Sequence, residues 1–279
     1  TAPTIPTIST SSVKSTASAA VFDPLASAFV LTEARLGRVQ RPLDLPLVSR
    51  PRNAVQAYAV RDAVVRERGA IAGWKVGAAS QQALPARAAL TADSVWVAQA
   101  ARSDQAVHLP AQSFAVMGVE AELVYELNAD LPARSIPYTA AEVLAAVASV
   151  RAAIEVCDTR YAAWGQQGEW SKLADQACHG ALIVGSGTTD VGRVLPMEQA
   201  VSLSVNGTMA VQHPAWGNPA GDPLRLLVWL ANEGALGLGG LRAGHWVTTG
   251  SCTGTVMVAP GTTVVADFPS LGRAELRLG

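Results

Sequence analysis

The 279-residue chain is poor in charge and in aromatic side chains, which make up 15% and 5% of it. Lysine and arginine number 21 against 22 aspartates and glutamates, so the formal net charge is −1. No basic block occurs, which excludes the electrostatic footprint that nucleic acid or an anionic membrane requires. Hydrophobic residues still make up 49% of the chain, which excludes wholesale disorder. We expect a small-molecule partner, no nucleic acid and no membrane.

Long apolar runs and paired cysteines are also missing. The longest apolar stretches, around 141–150 and 226–230, are cut by charges well before the ~20 residues that a membrane span needs. Cys157, Cys178 and Cys252 are widely spaced and form no C-x-x-C pair, which argues against a disulfide framework or a structural zinc site. We predict a cytoplasmic location, with export of a cleaved precursor as the alternative.

The patterning predicts one α/β domain with a mixed, β-rich core. Residues 1–28 read as a flexible Ser/Thr/Ala-rich tail, 29–70 as a helical segment and 71–279 as a catalytic domain. Capping residues and apolar spacing predict helices over 53–69 and 139–153 and another from residue 222. The predicted strands cover 72–76, 117–127, 180–184, 202–205, 245–249, 254–258 and 263–268.

Two glutamates alternate along the predicted strand over 117–127. Because side chains on a strand repeat every two residues, Glu120 and Glu122 share one face. Two carboxylates about 7 Å apart can converge on one divalent cation. The alternative is an ordinary solvated strand face.

A third acid, Glu155, is embedded among apolar neighbours, where an exposed charge is unusual. Three carboxylates with water would suit Mg²⁺ or Mn²⁺. The alternative is a buried Glu155 paired with Arg160 or Arg151.

Lys75 lies in a short apolar strand between Gly73 and Gly77, whose missing side chains allow a ligand close approach. Such a lysine could hold a substrate carboxylate or, with a lowered pKa, transfer a proton. A snorkelling lysine at a strand end is the alternative.

Two further segments carry chemical groups. Asp175 and His179 are the residue types used in proton transfer, although a surface i,i+4 pair is the commoner meaning of their spacing. The run from Gly250 to Gly254 fits a nucleophile elbow with Cys252, but the last histidine, His245, precedes Cys252 and so contradicts that chain order. A tight loop that directs hydroxyls and amides toward an anion suits the run better.

Several segments occur together in an order that resembles one family. The chain is similar, over 43–279, to the 2-keto-4-pentenoate hydratase and 2-oxo-3-hexenedioate decarboxylase branch of the fumarylacetoacetate hydrolase superfamily. The segments are Gly73-Trp74-Lys75-Val76-Gly77, the Glu120/Glu122 pair, Ile154-Glu155-Val156-Cys157-Asp158-Thr159-Arg160, Ala174-Asp175-Gln176-Ala177 and Thr249-Gly250-Ser251. The chain departs from the family's D-N-A-S pattern, because Cys178 replaces the serine.

The resemblance implies a fold and a set of site residues. The fold is a mixed β-sandwich roll with flanking helices, usually in a homo-oligomer. The implied metal ligands for Mg²⁺ or Mn²⁺ are Glu120, Glu122 and Glu155. The implied catalytic residues are Lys75 and Asp175, and those near the substrate are Thr249, Gly250, Ser251 and Cys178.

The resemblance also implies a reaction on a small 2-oxo acid or dienoate. We favour a hydratase that adds water to a 2-hydroxy-2,4-dienoate to give a 4-hydroxy-2-oxo acid in aromatic-compound catabolism. A decarboxylase of 2-oxo-3-hexenedioate would use the same metal-stabilised enolate. Acylpyruvate C–C hydrolysis and a non-catalytic partner with the same fold are further alternatives.

Overall fold

A computed structural model describes residues 22–98, 106–215 and 217–279. Most of the predicted flexible tail, residues 1–21, lies outside these ranges. The prediction is wrong for the end of the tail, because helix α1 (Pro24–Arg35) begins inside it. Asp23 caps this helix by accepting a hydrogen bond from the Leu25 N–H, and proline suits the first helical position.

Five α-helices and thirteen strands lie within the described ranges. The remaining helices are α2 (Ala54–Arg68), α3 (Ala140–Ala145), α4 (Glu169–Ala174) and α5 (Pro223–Trp229). The strands are β1 (Ile71–Gly77), β2 (Ala86–Thr91), β3 (Val95–Val97), β4 (Val107–Leu109), β5 (Gly118–Leu127), β6 (Val147–Cys157), β7 (His179–Thr188), β8 (Val201–Val205), β9 (Thr208–His213), β10 (Trp246–Ser251), β11 (Val256–Met257), β12 (Thr262–Phe268) and β13 (Gly272–Leu278).

The strands form two sheets that share one apolar core. The larger sheet has the order β2-β1-β10-β5-β6-β7-β3, with β11 paired to β5, and the smaller has the order β4-β13-β12-β8-β9. Pairing is mostly antiparallel, but β1 with β10, β3 with β7 and β4 with β13 are parallel. Ile154 of the larger sheet and Phe268 of the smaller belong to the same buried cluster. The predicted mixed, β-rich fold with flanking helices is confirmed.

The segment 139–153 was predicted as one helix, and most of it is a strand. The capping box at Thr139 and Glu142 forms as predicted, but α3 ends at Ala145 and β6 begins at Val147. Strand β6 pairs with β5 on one side and β7 on the other, and most of its side chains are buried. A continuous apolar run buried on both faces lacks the alternation that distinguishes a strand from a helix.

The helical N-terminal segment packs on the body of the chain. Helix α2 has its predicted Asn53 cap, which accepts from the Gln56 N–H at 2.9 Å. Its Val60 lies in an apolar cluster with Leu31 of α1 and Tyr161, beyond β6. The predicted boundary between 70 and 71 remains a prediction. No helix in the described ranges is long and apolar enough to cross a membrane.

Candidate active site

Three carboxylates lie on one face of the larger sheet. Strand β5 presents Glu120 and Glu122, and β6 places Glu155 directly opposite Glu120 in the antiparallel register. Glu122 is 1% exposed and Glu155 is fully buried, whereas Glu120 is partly exposed. The alternative of a solvated strand face is therefore wrong for Glu122.

Two of these carboxylates are only half satisfied by hydrogen bonds. Oε2 of Glu122 accepts from the Thr248 hydroxyl and from the Gly250 N–H at 2.9 Å. Oε1 of Glu155 contacts Lys75 Nζ at 2.8 Å and His179 Nδ1 at 2.9 Å. The other oxygens, Glu122 Oε1 and Glu155 Oε2, are buried and find no hydrogen-bond partner among the described residues. Buried carboxylate oxygens without a donor are the groups that a bound cation would satisfy.

The crowding of the carboxylates changes their protonation. Burial, with the charges of Glu155 and Glu120, raises the pKa of Glu122 well above its ordinary value. Burial likewise raises the pKa of Glu155, although the Lys75 ammonium opposes that shift. Like-charged groups in one low-dielectric site resist full ionisation unless a cation compensates them. The donor set therefore fits a divalent cation.

Lys75 reaches this site from the centre of β1. Burial by itself lowers the pKa of Lys75, but Glu155 and the neighbouring acidic groups together raise it above its ordinary value. Nζ also lies 3.1 Å from the Ala177 carbonyl oxygen. The snorkelling alternative is wrong, because the side chain is 17% exposed and pairs with Glu155. A cationic lysine is suited to holding a carboxylate or donating a proton, and not to the base role that needs a lowered pKa.

Gly73, two residues before Lys75, allows β1 to pair closely with β10. A Cβ at Gly73 would lie 2.3 Å from the Trp246 carbonyl oxygen. The close parallel pairing aligns Lys75 with Thr248, whose hydroxyl binds Glu122. The glycine that sequence reasoning assigned to ligand approach thus accommodates a neighbouring strand.

His179 supports Glu155 from β7. Its ring is buried, with Nε2 3.1 Å from Ser94 Oγ. Burial, with the positive charges of Lys75, Arg35 and Arg160, lowers the pKa of His179 well below its ordinary value. A neutral imidazole can donate its Nδ1–H to the Glu155 carboxylate. The contact with Glu155 could not be predicted from the sequence, because nothing in the local pattern indicates it.

Asp175 forms a second buried ion pair, with Arg160. One oxygen accepts from the Arg160 guanidinium, and the other accepts from the Thr159 hydroxyl at 2.9 Å and the Arg160 N–H at 3.0 Å. The alternative of a surface pair between Asp175 and His179 is wrong, because both are buried and bind different partners. The alternative pairing of Glu155 with Arg160 or Arg151 is also wrong, since Lys75 pairs with Glu155 instead.

The Asp175 ion pair supports an unusual backbone segment. Gln176, Ala177 and Cys178 have φ values of 49°, 49° and 63°, in the left-handed region that non-glycine residues rarely occupy. Arg160 also donates to the Asp175 carbonyl, and the Cys178 N–H donates to the same carbonyl at 2.8 Å. These bonds fix a strained turn whose Ala177 carbonyl contacts Lys75.

The β10 segment shapes the site mainly through its backbone. Gly250 has φ 93° and directs its N–H to Glu122. The Thr249 hydroxyl donates to the Leu123 carbonyl at 3.1 Å, and Ser251 Oγ accepts from the Thr253 N–H at 3.3 Å. The Asn218 amide donates to the Thr249 and Gly250 carbonyls at 2.8 and 3.0 Å. Sequence reasoning missed Asn218 and Thr248, because their roles depend on strands that are distant in sequence.

A cavity of about 760 Å³ adjoins the strained turn. Ala177 and Cys178 line it, together with Ala86, which shares a face of the sheet with Lys75 across the β1–β2 pairing. Its other apolar and aromatic walls include Tyr58, Leu84, Trp170, Leu173 and Trp229. The structure therefore brings Cys178 to a ligand-sized space. Lys75 does not line this space but contacts the carbonyl of Ala177, which does.

Sequence comparisons identify relatives of two named kinds. No family model matches the chain. It is 32% identical over 168 residues to a 2-keto-4-pentenoate hydratase of Burkholderia vietnamiensis, covering 59% of this chain and 61% of that protein. It is 28% identical over 193 residues to a 4-oxalocrotonate decarboxylase of a Pseudomonas species, covering 66% of each. The matches thus span about three fifths to two thirds of these relatives.

Structure comparison identifies the fold. A 4-oxalocrotonate decarboxylase from Pseudomonas putida G7, solved with calcium and acetate, matches 92% of this chain and 97% of its own with a TM-score of 0.75 and 23% identity. A fumarylpyruvate hydrolase from Pseudomonas aeruginosa, solved with Mn²⁺ and pyruvate, matches 74% of this chain and 88% of its own with a TM-score of 0.54 and 18% identity.

The two sheets define a protein with the fumarylacetoacetate hydrolase fold. In sequence, the chain is similar to 2-keto-4-pentenoate hydratases and 4-oxalocrotonate decarboxylases. The resemblance seen in the sequence motifs is confirmed.

Proposed function

We propose that the chain is a metal-dependent lyase that hydrates a 2-hydroxy-2,4-dienoate to a 4-hydroxy-2-oxo acid. The observation that carries this proposal is the buried Lys75–Glu155 ion pair beside the unpaired carboxylate oxygens of Glu122 and Glu155. The names of the hydratase and decarboxylase relatives support the substrate class. The homo-oligomer and the cytoplasmic location remain predictions.

Glu120, Glu122 and Glu155 would hold the divalent cation, Mg²⁺ or Mn²⁺. Carboxylate oxygens suit both ions, and the unpaired oxygens of Glu122 and Glu155 need a positive partner. When bound, the cation would supply Lewis acidity to the 2-oxo end of the substrate. Thr248 and Gly250 would keep Glu122 oriented by the hydrogen bonds they already donate.

Lys75 would hold and move a proton next to the substrate. Its ammonium can attract the substrate carboxylate and donate a proton to the terminal alkene carbon. In the same conversion to the conjugated 2-oxo alkene the 2-hydroxyl loses its proton, which returns to the lysine through water, so that no net proton is consumed. Water then adds at the far alkene carbon. The Ala177 carbonyl and Glu155 fix Nζ, and His179 fixes Glu155 in turn. Asp175 acts in this proposal as a positioning residue, because its carboxylate is already bound to Arg160 and Thr159.

The cavity beside Ala177 would receive the hydrocarbon end of the substrate. Its apolar and aromatic walls would contact that end, while Glu169, Lys172 and Glu233 also line the cavity. Cys178 would contact the substrate where the family resemblance implies a serine. Thr249, Gly250 and Ser251 would lie at the carboxylate end.

One observation favours a second candidate, the decarboxylase of a dienedioate. Arg61 is fully buried, and its guanidinium nitrogens have no hydrogen-bond partner within the described ranges. Burial lowers the pKa of Arg61 to about 10, so it remains a cation at neutral pH. The guanidinium lies 4.9 Å from the ring centre of Tyr58, which lines the cavity. Arg61 itself does not line the cavity, so a second substrate carboxylate would become its partner only with a shift of the side chains between them.

A direct assay tests both candidates. Purified protein is mixed with freshly prepared 2-hydroxypenta-2,4-dienoate or 2-hydroxyhexa-2,4-dienedioate, with Mn²⁺ or with chelator, and ultraviolet loss and CO₂ are followed. We expect Mn²⁺-dependent loss of the pentadienoate without CO₂. Release of CO₂ from the dienedioate would transfer the assignment to the decarboxylase. Consumption of neither compound would overturn the proposed lyase.

Arg61→Gln separates the two candidates further, with Arg66→Gln as an exposed control on the same helix. If the second carboxylate binds Arg61, the variant should raise KM for the dienedioate about tenfold or more while leaving the pentadienoate unaffected. Equal effects on both compounds would contradict that role for Arg61.

A further inference from the structure

Cys157 lies on the carboxylate face of the larger sheet. It ends β6 two residues after Glu155, so both side chains point to the same side. Its Sγ and carboxylate oxygens of Glu120 and Glu155 all lie within 4.8 Å of one another. The residue is 5% exposed, so water competes little for this position.

The residue opposite Cys157 leaves the thiol side of the site open. Gly118 pairs with Cys157 in the β5–β6 register. A Cβ at Gly118 would lie 3.4 Å from the Cys157 Cβ and 2.5 Å from Thr255 Cγ2. A side chain there would displace Thr255, whose hydroxyl binds Glu120. Glycine thus preserves the orientation of Glu120.

A separate observation favours a cation at the carboxylate face of the larger sheet. Glu155 and Glu122 are both more than nine-tenths buried, and each retains an oxygen without a partner among the described residues. The thiol adds a sulfur donor to a site that sequence reasoning treated as oxygen only. A ligand set that includes Cys157 also differs from the three glutamates that the family resemblance implies.

We propose that the Cys157 sulfur is a further ligand of the divalent cation and shifts the site's preference toward thiophilic ions such as Zn²⁺ and Co²⁺. The inference rests on the metal site of the proposed function. Thiolate favours such ions, whereas carboxylate and water suit Mg²⁺ and Mn²⁺. When the metal–sulfur bond forms, the S–H bond breaks and its proton passes to solvent.

Cobalt spectroscopy tests the sulfur ligand without relying on turnover. The metal-free protein is titrated with Co²⁺, and the near-ultraviolet thiolate-to-cobalt charge-transfer band is recorded for the unmodified chain, Cys157→Val and Cys178→Ala. We expect the band in the unmodified chain and in Cys178→Ala, and its loss in Cys157→Val. Binding of Co²⁺ to the unmodified chain without the band would overturn the inference.

Calorimetry measures the effect on selectivity in the same proteins. Cys157→Val should weaken Zn²⁺ binding on the order of tenfold or more, while Mg²⁺ affinity stays within about twofold. Equal weakening of both ions would contradict a specific sulfur ligand. Folding of the variant is checked by circular dichroism.

X-ray absorption at the zinc edge needs no variant. A sulfur neighbour at about 2.3 Å is expected for the zinc-loaded unmodified chain, and a shell of oxygen and nitrogen alone would overturn the inference. If neither Mg²⁺, Zn²⁺ nor Co²⁺ binds, the metal site of the proposed function fails together with the inference. If they bind through oxygen only, Cys157 alone is excluded.

Discussion

Glu155 and Asp175 are both buried carboxylates paired with a cation, yet their surroundings differ. Both oxygens of Asp175 accept hydrogen bonds from Arg160 or Thr159. Glu155 keeps one oxygen without a donor among the described residues, and Glu122 beside it does the same. Burial and charge alone therefore do not distinguish these two regions, but the number of unfilled acceptors does.

The difference separates a structural ion pair from a candidate binding site. A buried carboxylate with every acceptor filled stabilises its own segment and gains nothing from a ligand. A carboxylate with an unfilled acceptor carries a desolvation cost that a bound cation would remove. We therefore expect substitutions at Asp175 and Arg160 to affect folding, and substitutions around Glu155 to affect metal binding and turnover.

The largest expected effect is on the stability contributed by the Arg160–Asp175 ion pair, in which both carboxylate oxygens already accept hydrogen bonds. Arg160→Met leaves the Asp175 carboxylate buried without its cation, and we expect a loss of about 3–5 kcal/mol in the free energy of unfolding. Denaturant titration in chelator measures it. Arg151→Met, which removes a half-exposed arginine 3.5 Å from Glu126, is the matched control and should cost about 1 kcal/mol or less. Similar losses of unfolding free energy in Arg160→Met and Arg151→Met would contradict a special contribution of the buried Arg160–Asp175 pair to stability.

At the site around Glu155, Lys75→Met should lower the turnover of the substrate. We expect turnover of the dienoate to fall by about 10²–10⁴-fold, because a proton donor is lost. Metal affinity should change much less, since Lys75 is not a ligand. Lys75→Arg retains the charge but alters the reach of the donor. A Lys75→Met protein with full turnover would exclude the catalytic role.

Glu122→Gln should act on metal binding. We expect Mn²⁺ affinity to fall by about 10–100-fold or more, because an anionic ligand is replaced by an amide. Stability in chelator should not fall, since the change removes a buried anion near two others. Glu126→Gln, four residues along the same strand, is the control and should bind Mn²⁺ normally. Unchanged affinity in Glu122→Gln, measured by calorimetry, would falsify its role as a ligand.

A smaller effect is expected in the strained turn of residues 176–178, which follows Asp175 and contacts Lys75. Cys178→Ser restores the residue that the family resemblance implies, and its side chain lines the cavity. We expect folding and metal binding to stay constant while KM for substrates of different chain length changes by a few-fold, about 1 kcal/mol or less. Identical KM values for all substrates would mean that the thiol only fills space.

The smallest expected effect concerns Glu142, an exposed carboxylate that accepts hydrogen bonds from Thr139 and Arg134. Hydrogen bonds from the Thr139 N–H, the Arg134 guanidinium and the Thr139 hydroxyl lower the pKa of Glu142 to about 2. The stabilisation is therefore present above the ordinary pKa of a glutamate and is lost as pH falls toward 2. Melting curves should show this pH dependence in the unmodified chain and a weaker one in Glu142→Gln. Parallel curves would contradict the assignment.

Sequence reasoning could predict the parts of the site that depend on a single strand. The two-residue period placed Glu120 and Glu122 on one face, and the glycine-flanked strand located Lys75. These features are local, so they can be recognised before any pairing is known.

The remaining features depend on contacts between distant segments. The Ala-rich part of β6 resembled a helix because both faces are buried, and only pairing with β5 and β7 makes it a strand. The His179–Glu155 contact joins residues 24 positions apart, and Thr248 reaches Glu122 across 126 positions. Cys157 follows Glu155 by two residues, so the same period would have placed both on one face, but the segment over 154–157 was not predicted as a strand.

The alignment of Glu120 with Glu155 also has a consequence for the kinetics of folding. Zipping β5 onto β6 in the native register brings two carboxylates together, whereas a slip of one residue turns every side chain of the slipped strand to the other face. We therefore expect charge repulsion to slow pairing in the native register more than pairing in the slipped register. A divalent ion captured between the strands would reverse that bias, so refolding in its presence should be faster and should leave fewer misaligned molecules.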